Sequence, residues 1–240
     1  MRMNANVKLL SIRVDNLLRE EVNDWLKGIL ENPPQQKFIA TLNPEIILKG
    51  YHDKNYQDIL NSSDLNLCDG FGIKFAATLK GRRIKSRYTG VDLTDYLLKL
   101  AKKNRKKVLV IVCRDSLSSP EEIKRGIERK YEVDVEARYL ERNFFEGEAV
   151  KNSEIIFVNF GAPEQEKFIF ENRSKFTNAK ILVGVGGAFD FLIGKMKRAP
   201  KWMRKAGLEW LFRLVQEPKR LRRIWNAVIV FPILTVVKSK

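Results

Sequence analysis

Residues 154–185 read EIIFVNFGAPEQEKFIFENRSKFTNAKILVGV, and this stretch decides the fold. It opens on an apolar run at 154–160, turns through Gly161-Ala162-Pro163 into a helical pattern over 163–173, and returns to an apolar run at 179–185. Two runs of strand length with a helix between them make a unit whose strands lie parallel. Strands this apolar on both sides of the pleat belong in a sheet covered on both faces.

The same alternation continues toward the N-terminus. Residues 107–113 read as a buried strand, 120–130 as a helix and 133–137 as a strand. A helix over 90–103 carries Leu93, Leu97 and Leu100 on one side. Residues 64–68 (DLNLC) form a short strand that closes in Asp69-Gly70-Phe71-Gly72, and 37–42 another, after which Asn43-Pro44 opens a helix. Residues 7–14 read as one strand, followed by a helical stripe through Leu18, Val22, Trp25, Leu26 and Ile29 that Pro33-Pro34 ends. The expected class is α/β: a Rossmann-like, mostly parallel sheet with helices on both faces.

Composition shifts near residue 195. The 240-residue chain carries 45 Lys and Arg against 29 Asp and Glu, a net charge of +16, which calls for an acidic partner. Residues 195–225 hold eleven of those bases against two acids, Glu209 and Glu217. Leu208, Leu211, Phe212 and Val215 put an apolar stripe through this segment, and Pro218 restarts a second helix with Arg220, Arg222 and Arg223. A helical hairpin docked on the core with a solvated charged face is one reading. A surface that grips anionic lipid is the other. The apolar run at 225–237 is shorter than the roughly 20 residues a spanning helix needs, and Asn226 and Pro232 interrupt it. The expected division is an α/β catalytic core at 1–195 and a basic, amphipathic, membrane-binding appendage at 196–240. No secretory leader is expected at residues 1–10, and Cys68 and Cys113, far apart in apolar surroundings, read as buried free thiols of a reducing compartment.

In an open parallel sheet, ligands bind beyond the C-terminal ends of the strands. Three segments have that position: Thr41-Leu42-Asn43-Pro44, Asp69-Gly70-Phe71-Gly72, and the turn through Gly184, Gly186 and Gly187 to Asp190. A glycine turn brings backbone N–H groups close to a phosphate, and Asp190 suits ribose hydroxyls. An Asp before Gly is by itself more often a turn than a catalyst. The glycine turn departs from the dinucleotide fingerprint, with Phe189 where Gly or Ala is required, so a dehydrogenase is disfavoured. The single histidine, His52, has no metal-ligand cluster around it and no nucleophile elbow to serve. Neither a Walker loop nor an Asp-x-Asp metal pair is present, and no cofactor is expected. No nucleic-acid-binding module accompanies the basic charge, so nucleic acid is not an expected partner.

Six segments, in order, resemble the WecG/TagA/CpsF family of bacterial glycosyltransferases (glycosyltransferase family 26), most of all its TagA branch. They are Thr41-Leu42-Asn43-Pro44-Glu45; residues 61–72 (NSSDLNLCDGFG); residues 87–93 (RYTGVDL); residues 160–167 (FGAPEQEK); residues 183–191 (VGVGGAFDF); and residues 197–221 (KRAPKWMRKAGLEWLFRLVQEPKRL). The resemblance implies an inverting, metal-independent transfer of N-acetylmannosamine from UDP to N-acetylglucosamine on an undecaprenyl diphosphate carrier, at the inner face of a bacterial cell membrane. A related transferase with another UDP-sugar donor is the alternative. Carried over, the family's catalytic Asp falls on Asp69, its neighbouring Thr and Asn on Thr41 and Asn43, and its Arg on Arg87. Its motif Gln falls on Gln165, and its appendage arginines on Arg213, Arg220 and Arg223. Cys113-Arg114-Asp115-Ser116 stands where the family usually has a glycine-rich turn. Asp69 is the expected base, with the appendage arginines stabilising the departing diphosphate. Oligomeric state stays open, a homo-oligomer included.

Overall fold

The computed structural model describes residues 6–32 and 35–238, apart from the side chains of Lys205 and Arg220. Six strands form one parallel sheet: β3 (Lys37–Leu42), β4 (Leu65–Cys68), β5 (Val108–Val112), β6 (Val135–Tyr139), β7 (Ile155–Asn159) and β8 (Ile181–Gly184). Their order is β4-β3-β8-β7-β5-β6, with every neighbouring pair parallel. All residues of β4, β5, β7 and β8 are buried, as a sheet covered on both faces demands.

Alternate residues of each strand feed two separate cores. Ile39, Leu65, Val110, Phe157 and Val183 pack under helices Arg19–Glu31, Gly90–Lys103 and Pro120–Tyr131. Phe38, Ala40, Ile111, Val158 and Leu182 pack on the opposite face under helices Pro44–His52, Lys54–Ser62 and Glu164–Asn172. Adjacent β3 and β8 send the following helices to opposite faces: Ile46 and Ile47 join the second core, Ala188 and Phe189 the first. The chain therefore parts at the C-terminal ends of β3 and β8, and a crevice opens between them.

Two expectations change. Residues 7–14 are a hairpin, β1 (Asn6–Leu9) paired antiparallel with β2 (Ile12–Asp15). Its turn places Leu10 and Ser11 at φ 49° and 67° without the Gly or Asn that usually marks such a turn. Cys113 is only partly buried, because it leaves the sheet in the loop after β5, whereas Cys68 is buried; both are free. The apolar end docks on the protein: helix Phe231–Val237 lies against helix Phe71–Leu79, with Phe231 wholly buried in the second core. The break at Pro33-Pro34 and half of the first ten residues read for a leader lie outside the described residues.

Ion pairs fasten the tail as well. Arg198 donates to Asp92 at 2.7 Å and to Thr89 at 3.0 Å, and Arg223 forks onto Glu45 at 2.7 and 2.9 Å. The exposed Arg223 pair adds little, and Phe231 burial, on the order of 2 kcal/mol, is the larger contribution. Among the described residues no helix is long and apolar enough to cross a membrane.

Candidate active site

Thr41 is on β3, and its hydroxyl donates to the Gly184 carbonyl of β8 at 3.2 Å, stitching the crevice shut at its floor. Asn43 caps the next helix, its side-chain oxygen accepting the Ile46 N–H at 3.0 Å. Asp69 follows β4 directly; its backbone N–H donates to the Leu42 carbonyl at 2.8 Å, and Oδ2 accepts the Gly90 N–H at 3.2 Å. That donor opens helix Gly90–Lys103, where unpaired backbone N–H groups favour a carboxylate.

Two cavities meet at Asp69. The larger, about 680 Å³, runs past Thr41, Gly90, Gln165, Gly186, Gly187 and Asp190. The smaller, about 390 Å³, has a mostly apolar wall of Phe71, Phe75, Trp210, Ile224, Val228 and Pro232. Asn43, Glu45, Asp69, Arg213 and Arg223 line both. The tail supplies much of the second chamber, so the site is complete only with residues beyond 196 in place.

Burial pushes the Asp69 carboxyl up to about 6, despite the Gly90 hydrogen bond and the positive charge of Arg213; Glu209 adds to the rise. A carboxyl of this kind is ionised at neutral pH yet still basic enough to take a proton. Arg87 lines the apolar cavity and meets Glu209 at 3.4 Å. Arg213 meets the other oxygen of Glu209 at 3.1 Å and lies 5.1 Å over the Phe191 ring. One tail carboxylate thus holds two guanidinium groups beside Asp69.

The glycine turn is built around Gln165. Gly186 has φ +50°, and its N–H donates to Gln165 Oε1 at 2.9 Å. Gly184 sits behind the turn and off the cavity wall; a Cβ there would come within 2.8 Å of the Gln165 amide. Asp190 is buried and accepts a short hydrogen bond from Ser118, which ties the loop after β5 to the turn. The Arg220 side chain lies outside the described residues. Among those residues no three His, Cys, Asp or Glu side chains gather as a metal site would require.

Of the sequence-derived residues, Thr41, Asn43, Asp69, Gln165, Gly186, Gly187, Asp190, Arg213 and Arg223 surround the larger cavity, and Arg87 the smaller. Glu45, Glu166 and Glu209 carry no role in the sequence reading. All three stand inside quoted motifs, and Glu209 is besides an acid in a basic run, which was the available signal.

Residues 7–240 match the family model described as Glycosyl transferase WecG/TagA/CpsF family. An N-acetylglucosaminyldiphosphoundecaprenol N-acetyl-beta-D-mannosaminyltransferase of Bacillus subtilis (strain 168) is 34% identical over 216 residues, 84% of this chain and 79% of the relative. Proteins of the same description in Bacillus spizizenii and Staphylococcus aureus (strain MRSA252) are 35% and 28% identical, over 78% and 98% of this chain and 74% and 94% of theirs. With a match over nearly its whole length, the chain belongs to the WecG/TagA/CpsF family of glycosyl transferases.

Proposed function

We propose that this chain transfers N-acetylmannosamine from UDP to the N-acetylglucosamine of an undecaprenyl-diphosphate-linked acceptor, with inversion at the anomeric carbon. The observation that carries the reading is the place of Asp69, at the junction of a polar cavity under a glycine turn and an apolar one walled by the tail. The polar cavity suits the nucleotide sugar; the apolar one suits an acceptor that arrives on a lipid. The relatives' names supply the sugar and the carrier.

The chemistry is one displacement. Asp69 takes the proton from the acceptor hydroxyl as that oxygen bonds to the anomeric carbon and the bond to the UDP oxygen breaks. Negative charge collects on the leaving diphosphate, where Arg213 and Arg223 offer forked donors and the Gly187 backbone adds an N–H. Purified protein, acceptor lipid and a panel of UDP-sugars, with product identified by mass, test the reading. Product from UDP-N-acetylmannosamine is the expected result; product from another UDP-sugar in its place would reassign the donor.

The tail, residues 196–240, is the proposed membrane-binding appendage. Leu221, Trp225, Ile229, Ile233 and Val237 are exposed at four-residue spacing, beside exposed Phe71, Phe75 and Leu79 of the helix that the tail packs on. That apolar face beside Lys219, Arg222 and Arg223 suits a peripheral protein on an anionic bilayer at the cytoplasmic side. Flotation with anionic liposomes is expected, weakened by salt. Leu221→Glu with Trp225→Glu is expected to reduce binding by about 10–100-fold, the apolar contribution of two such side chains. Equal flotation of parent and variant would remove the face from the account.

A further inference from the structure

Glu166 has no exposed surface, and neither does Tyr56. Burying a carboxylate is costly unless hydrogen bonds satisfy it. Here the Tyr56 hydroxyl donates to Oε2 at 2.7 Å and the Gln165 amide donates to Oε1 at 2.6 Å. The other end of the same amide accepts the Gly186 N–H. A glutamine amide has two donors and one acceptor oxygen, and nothing in its shape alone decides which end faces which way. A carboxylate decides it, because it accepts and does not donate.

We propose that Glu166 is a positioning residue of the transfer reaction: it fixes the Gln165 amide so that the amide oxygen holds Gly186, setting the glycine turn for the donor's diphosphate and sugar. The proposal rests on the reading of the larger cavity as the nucleotide-sugar site. The chain of contacts runs Tyr56 to Glu166 to Gln165 to Gly186, from a helix on one face of the sheet to the cavity wall. Gln165 keeps one N–H and one lone pair for a ligand. The amide packs directly over Gly184, where a Cβ would come within 2.8 Å of it.

Protonation weakens the device. Burial pushes the Glu166 carboxyl up to about 7, held down by the bonds from Gln165 and Tyr56 and by the charge of Lys49. Glu45 and Glu164 are the acids facing Tyr56, and Lys167, paired with Asp53, lies 5.8 Å from its ring. Once a proton sits on Glu166, one oxygen becomes a donor and the acceptor pair for Tyr56 and Gln165 is lost. Donor binding is expected to fall as pH drops through about 7.

The test measures affinity for UDP-N-acetylmannosamine, without acceptor, from pH 5.5 to 8.5, in the full chain and in Glu166→Gln. The variant's new amide no longer presents two acceptor oxygens. At pH 8 its donor affinity is expected to be about tenfold weaker, the worth of one well-placed hydrogen bond, and its pH dependence flat. The KM for donor rises while the KM for acceptor holds, a split that general loosening would not produce. If Glu166→Gln does not fold, Tyr56→Phe carries the test: removing one donor to the anion raises the Glu166 pKa, so the fall in affinity moves to higher pH. Parent-like affinity and pH dependence in the folded variant would overturn the positioning role alone. Failure of the parent to bind any UDP-sugar would instead overturn the nucleotide-site reading beneath it.

Discussion

Asp69→Asn is expected to slow transfer by about 10²–10⁴-fold, the usual cost of a lost general base, and to make the protein more stable. Both effects come from one fact. Burial raises the Asp69 carboxyl to about 6, from 3.8 in an ordinary setting. A group raised in this way contributes its stability below the unfolded pKa, and the contribution is gone once pH passes the folded value of about 6. At pH 7.5 the ionised carboxylate is therefore a net cost, on the order of 1–3 kcal/mol. Asparagine removes the charge and keeps an oxygen for the Gly90 N–H. The thermal midpoint is expected to rise by about 2–6 °C at pH 7.5, given the size of the chain, with the gain shrinking toward pH 4. The parent's turnover is expected to fall about tenfold per pH unit below about 6. A variant that turns over normally would end the role of Asp69 as base. One that is inactive yet less stable would mean the carboxylate is held by favourable contacts, not placed at a cost for catalysis.

The sheet is legible because its strands are apolar on both sides and its helices are not. Residues 108–112 and 155–159 admit little but a buried strand. The hairpin is not legible at its turn, since Leu10 and Ser11 reach positive φ through tertiary packing: Leu10 is buried, and its carbonyl accepts from Gln57 at 3.3 Å. Helix Phe71–Leu79 lacks a polar cap, and its glycine-flanked start resembles a loop. Asp69 and Thr41 stand out because a polar side chain directly at the end of an apolar strand has few structural uses. The partners of the arginines are a different matter. Nothing local pairs Arg87 with Glu209, 122 residues away, or Arg223 with Glu45, 178 residues away. Those pairs exist because the tail folds back over the strand ends, and charge sequence alone does not encode that return.

Arg213→Ala is expected to lower kcat by about 10²–10³-fold, the scale measured when one donor to a developing anion is removed. Arg213 stands out from its neighbours by position. It lines both cavities, reaches over Phe191 of the glycine-turn helix, and is the cation that most lowers the Asp69 pKa. Its loss therefore has a second signature: with that charge gone, the acid limb of the pH–rate profile moves to higher pH. Glu209 keeps Arg87 as a partner, so the docked tail does not lose its only pairing there. Arg213→Lys retains a charge but not the planar fork, and its activity is expected to fall between parent and Ala. Arg223→Ala is expected to cost less, because that guanidinium already forks onto Glu45 and is not among the charges that chiefly set the Asp69 pKa. The pair of measurements separates a tail that only carries the enzyme to the lipid from one that takes part in the reaction. In the first case Arg213→Ala loses activity on liposomes and regains it with a water-soluble acceptor. In the second, the loss and the displaced acid limb persist with either acceptor, because the missing charge acts on the departing diphosphate and on the base, not on the membrane.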